Sequence, residues 1–222
     1  MDLKVKNALQ AGVNAYARVE GIADADFISS LETVYDTEAS FMDKVSLLDE
    51  AFDTNQQFEE LREVAFDLLM INFFSEDIQK LEEDYLDSEE WEAIEEQTLD
   101  RGTELLNVFL YLRECADEEV NPSLDDYLKE FLLVEDDEFQ DEHRIYEKVI
   151  ANQILTESSF EEIAKVAKTI DLEEELADLF YPIMSFFSDS NPSADKLSIY
   201  GENALNKSYD LAIYQLIINF NK

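Results

Sequence analysis

Four glycines and three prolines are spread over 222 residues, and this shortage of chain breakers does most to limit the folds open to the sequence. Sheets need frequent turns, and turns lean on Gly, Pro, Asn and Asp. A chain this long with so few breakers is expected to run in long helices. Glu, Leu, Ala and Lys, all good helix formers, fill the intervening segments.

Local signals divide the chain into helices over 3–19, 25–35, 38–52, 55–73, 76–86, 88–99, 102–116, 122–133, 138–155, 159–169, 172–187 and 194–220. Thr54-Asn55-Gln56-Gln57 and Ser158-Ser159-Phe160-Glu161 read as capping boxes, each leading an apolar stripe. Asp87-Ser88-Glu89-Glu90 opens the segment that holds Trp91 and Ile94. Asn121-Pro122 reads as an N-cap followed by proline at the first helical position. Asp171 opens the next helix, which Pro182 ends or kinks, and the final helix breaks near Gly201. Ser188 to Ser193 is the clearest loop. Short connections make neighbours antiparallel. The expected fold is therefore all-α, a multi-helix bundle or an α-solenoid of helical hairpins, in a single domain over 1–222.

Two matches suggest an internal duplication. Phe58 to Ala65 resembles Phe160 to Ala167, and Gly102 to Asn107 resembles Gly201 to Asn206. The offsets are nearly equal, so halves of about 1–115 and 116–222 would stack as repeated hairpins.

The second dominant feature is charge. Asp and Glu number 54 against 16 Lys and Arg, a net charge of −38. A disordered acidic chain would be poor in aromatic residues, whereas this one has 15 Phe and 10 Tyr and is 46% hydrophobic. The acid is a surface laid over a real core. Salt adaptation is a competing explanation, but the abundant Phe, Ile and Asn do not suit a core thinned for high salt. Such a surface repels nucleic acid and anionic membranes and attracts basic proteins.

The charge is concentrated. Residues 81–142 hold 24 acids and three bases, net −21, while 1–80 carry −11 and 143–222 carry −6. The densest runs are Glu82, Glu83 and Asp84; Glu89, Glu90, Glu92, Glu95 and Glu96; and Glu135, Asp136, Asp137, Glu138, Asp141 and Glu142. Like charges at i,i+4, as in Glu92–Glu96 and Glu138–Glu142, each cost a few tenths of a kcal/mol. Their accumulation is a standing cost to folding, which favours a use for the charge. These runs are the expected partner-binding residues. Tyr85, Trp91, Tyr127, Phe131 and Phe139 punctuate them as hot-spot candidates, with core packing as the first expectation for each.

Familiar chemistries find no foothold. A di-iron bundle needs two Glu-x-x-His motifs, but the single histidine is His143 and Gln140 stands three residues before it. A Ser-His or Cys-His pair would have to use that same residue, beside Asp141 and Glu142. Cys115 is the lone cysteine, which excludes an intrachain disulfide and a thiol-rich zinc site, and it reads as a small core residue. No glycine lies in a phosphate-binding pattern, and Asp189-Ser190-Asn191 lacks the glycine of a calcium loop. No catalytic, cofactor or metal site is expected.

The start, Met1 to Lys6, lacks the apolar core of a secretory signal, and no apolar stretch is long enough for a bilayer. A cytoplasmic location is the expectation. The expected function is non-enzymatic binding of a basic protein surface. Its sharpest form is a nucleic-acid mimic, or an inhibitor or immunity protein of a DNA- or RNA-binding enzyme. A net −38 matches the phosphate charge of about 19 base pairs, roughly 65 Å of duplex. The alternative is a helical-repeat scaffold whose acidity serves solubility. No direct nucleic-acid or membrane binding is expected.

Overall fold

The computed structural model describes residues 1–76, 83–134, 138–139, 146–171 and 174–222. The fold is all-α. In chain order the helices are α1 (Leu3–Glu20), α2 (Ala25–Asp36), α3 (Phe41–Thr54), α4 (Arg62–Glu76), α5 (Glu83–Leu86), α6 (Glu89–Thr98) and α7 (Leu105–Asp117), then α8 (Leu124–Leu132), α9 (Glu147–Ala151), α10 (Phe160–Ala167), α11 (Glu174–Ala177), α12 (Phe180–Ser188), α13 (Ala194–Asn203) and α14 (Lys207–Phe220). Two 3-10 helices, Gln56–Leu61 and Gln153–Glu157, lead into α4 and α10. A two-residue antiparallel pair, β1 (Leu133–Val134) and β2 (Glu138–Phe139), aligns Leu133 with Phe139.

Side-chain caps decide several helix starts. Asp2 accepts from the backbone N–H groups of Lys4 and Val5, Ser40 from Asp43, Ser88 from Trp91 and Ser193 from Lys196. Each satisfies donors the helix cannot. The capping box expected at Ser158 forms one residue later, between Ser159 and Glu162. The one expected at Thr54 does not form. Thr54 ends α3, and Asn55 turns back to donate its side-chain amide to Ala51 O. Ser123, not Asn121, accepts from the Asp126 N–H at the start of α8, leaving Pro122 outside the helix.

Other boundaries also differ from expectation. The segment 138–155 is not one helix: β2 opens it, and it ends in α9 and a 3-10 turn. The 172–187 segment breaks at 178–179, and Pro182 then sits in the first turn of α12, where its missing N–H is not needed. The final break falls at 204–206, and Gly201 is helical. The segments matched within the sequence adopt different local structures: Phe58 lies in a 3-10 turn and Phe160 opens an α-helix.

The chain ends close the bundle. α14 runs antiparallel to α1, with Lys4 Nζ donating to Phe220 O at 3.4 Å. Gly12 lets the two backbones meet, since a Cβ there would stand 2.9 Å from Leu216 Cδ1. An open solenoid leaves its first and last helices apart, so this pairing makes the fold a bundle. At its centre α4 is buried around its whole circumference, from Val64 to Asn72, as a helix enclosed on every side must be. It packs on α1, α3 and α7.

Three stacked tyrosines fill part of the core with their hydroxyls satisfied. Tyr181, Tyr200 and Tyr214 stack at centroid distances of 4.5 and 4.3 Å and donate to Tyr200 O, Asp210 O and Asp189 O. Cys115 is buried on α7. Among the described residues no helix is long and apolar enough to cross a membrane.

Candidate interaction surface

α6 is the part of the acidic middle segment that the structure displays most fully. Ser88 caps it, and Glu89, Glu90 and Glu92 in its first turn complement the helix dipole. Ile94 and Thr98 are buried, and Trp91 lies half-buried against Phe74 and Tyr85, with ring centroids at 5.3 and 6.3 Å. This apolar edge moors the helix. Glu89, Glu92 and Glu96 follow at i, i+3 and i+7 on the far side, with Glu95 beside them and Glu90 at the flank. All five are exposed, and among the described residues none has a basic partner within ion-pair distance. Leu99, 74% exposed, continues the same row.

The bases of the middle segment are directed elsewhere. The Arg101 guanidinium grips Glu63 through Nε (3.1 and 3.0 Å) and Asp49 through both terminal nitrogens (3.2 and 3.1 Å). Arg113 donates to Ser75 at 2.7 Å, and Lys129 pairs with Asp125 one turn away on α8. Asp49 is shared with Arg62, which also holds Asp53 and Glu59. Both guanidinium groups lie over rings, Arg62 over Phe52 and Arg101 over Phe66, where the π-face adds to the attraction. Among the described residues, the cations of the middle segment are thus engaged elsewhere, and none of them offsets the glutamates of α6.

A cleft of about 440 Å³ opens beside this network, lined by Glu63, Arg101, Gly102, Thr103, Glu104, Asp178, Leu179 and Tyr209. Gly102 N–H donates to Glu63 Oε2 at 2.7 Å. Tyr146 donates to Glu104 at 2.5 Å and meets the Tyr127 hydroxyl at 3.1 Å. Beneath the loop lies Asp67, whose burial pushes its carboxyl well above the usual carboxylate range. Asp210, on α14, is 2% exposed and accepts from the N–H groups of Leu205 and Asn206. Burial pushes it up to about 6, against the pull of those two bonds. Among the described residues no three His, Cys, Asp or Glu side chains stand close enough to hold a metal ion.

Of the expected binding residues, the structure brings Glu89, Glu90, Glu92, Glu95 and Glu96 onto one exposed helix. Glu83 and Asp84 lie in α5 just before it, and Glu138 lies in β2. Glu82, Glu135, Asp136, Asp137, Asp141 and Glu142, with His143, lie outside the described residues. Of the aromatic candidates, Tyr127 is fully buried in the core, while Tyr85 and Trp91 are half-buried. The Asp49–Arg101–Glu63 network and the Asp67–Thr103 pair escaped the sequence reading. Their signals were an acid inside the apolar run 64–71 and an isolated Arg-Gly pair. The chain matches no family model, no curated protein and no solved structure, and its function is therefore read from its own geometry.

Proposed function

We propose that this protein acts by binding a basic protein surface, with the exposed face of α6 as its principal contact. The reading rests on one observation: five glutamates stand exposed on a single moored helix, and among the described residues none has a basic partner. The like charges of Glu92 and Glu96, one turn apart, cost helix stability, and a cationic partner would return that cost. Charge complementarity of this kind speeds association and makes it salt-sensitive. In its sharpest form the protein is a nucleic-acid mimic, or an inhibitor of a DNA- or RNA-binding enzyme, placing carboxylates where phosphates would lie. The partner is blocked by occupancy of its basic surface, with no catalytic step by this chain.

The test is capture of partners from lysate of the source organism or its host by the wild-type protein and by a variant with Glu89, Glu90, Glu92 and Glu96 all changed to Lys. A basic protein held by the first and lost by the second supports the reading. Equal capture by both overturns it and favours a helical scaffold that binds through other surfaces.

A further inference from the structure

Asp67 projects from the middle of α4 and is wholly buried. Thr103 supplies its hydrogen bonds, the backbone N–H to Oδ1 at 2.9 Å and the hydroxyl to Oδ2 at 2.5 Å. Among the described residues no Lys or Arg lies within ion-pair distance of it. The loop rests directly on the carboxyl: Gly102 has φ +85°, and a Cβ there would stand 2.6 Å from Asp67 Oδ1. Gly102, Thr103 and Glu104 wall the cleft described above, so this loop stands between the carboxyl and water.

Glu63 on its own helix and Glu104 on the loop face Asp67 and disfavour a further negative charge there, while Tyr35 from α2 and Tyr209 from α14 face it as neutral phenols. Arg101 is the nearby cation, and Glu63 and Asp49 already hold it. A buried carboxylate with no cation of its own costs more than two hydrogen bonds return.

We propose that Asp67 is a proton-operated latch: the neutral acid holds the 102–104 segment down on α4, and loss of its proton releases that segment and opens the cleft. The direction of the shift at Asp67, upward through burial, agrees with this. A carboxyl raised in the closed form favours closure at acid pH, and that contribution falls away as pH rises from the ordinary carboxylate range through the raised value. Arg101 stays tied to Asp49 and Glu63, so the movement begins at Gly102, whose lack of a side chain suits a hinge. The latch operates whether or not α6 binds a basic partner.

Amide hydrogen exchange of the full chain without any partner tests this. Opening linked to one proton grows up to about tenfold per pH unit between the closed-form and open-form values. After correction for intrinsic exchange, protection at Thr103 and Leu105, whose N–H groups bond Asp67 and the Thr103 hydroxyl, should fall as pH rises above the ordinary carboxylate range, while protection in α1 and α14 holds. Asp67→Asn, whose Oδ1 accepts the Thr103 N–H and whose amide donates to the Thr103 hydroxyl as the O–H of the neutral acid does, should remain closed throughout. A pH-independent loop in the wild type, or the same slope in D67N, overturns the proposal. Should D67N fail to fold, the wild-type carboxyl carbon of Asp67 decides. Titration together with loop opening supports the latch, and titration in the ordinary carboxylate range overturns it.

Discussion

Arg101 faces Asp49 across 52 residues of sequence, with nitrogen–oxygen contacts of 3.1 and 3.2 Å. This pairing takes a cation out of the acidic middle segment and spends it on the bundle, where Glu63 completes its coordination. Arg101→Gln should therefore destabilise the fold by about 1–3 kcal/mol, the usual cost of removing one partner from a partly buried, hydrogen-bonded ion pair. Arg101→Lys should recover only part of this, because an ammonium cannot serve two carboxylates and a ring face with one planar fork. Chemical denaturation of both variants checks the order.

The α1–α14 contact at Gly12 gives a second prediction. A leucine side chain at position 12 has no room beside Leu216, so Gly12→Leu should cost about 1–3 kcal/mol through overpacking. Shortening the neighbour should relieve it: Leu216→Ala and Gly12→Leu together should cost less than their sum. A double-mutant cycle reads that coupling, and strict additivity would contradict the close approach.

Asp210 gives stability an acid-favouring component. Its carboxyl is raised by burial from 3.8 to about 6, so the native state holds its proton more tightly than the unfolded chain does. The contribution is present in full below about pH 4 and is lost as pH rises through about 6, a change of about 2–3 kcal/mol at most. Asp210→Asn should remove this part of the slope and leave the part due to overall self-repulsion. Urea midpoints at a series of pH values, compared between the two proteins, isolate it. Identical slopes would show that Asp210 titrates normally.

Much of the fold was legible in the sequence, because scarce breakers and periodic apolar residues act locally. α1 and α2 fall within a residue of expectation for that reason. The errors lie where tertiary contacts overrule local patterns. Asn55 has the chemistry of a cap but finds Ala51 O closer, and Gly201 is tolerated inside α13 because Leu211 and Lys207 approach it. The acid-rich face of α6 could be read from composition alone. The Arg101 network could not, since its partners are far apart in sequence. Asp67 was visible only as an anomaly, a carboxyl in a run of core residues.

The central claim is that the charge on α6 is used for binding, and the salt dependence of that binding tests it most directly. The logarithm of the captured partner's affinity for the wild-type protein should fall steeply with the logarithm of salt concentration, and duplex DNA should compete for the same partner surface. The α6 charge-reversal variant should lose that slope with its affinity. A partner that stays bound at high salt, ignores DNA and tolerates the reversal would contradict the account and leave the acidic face as a solvating surface.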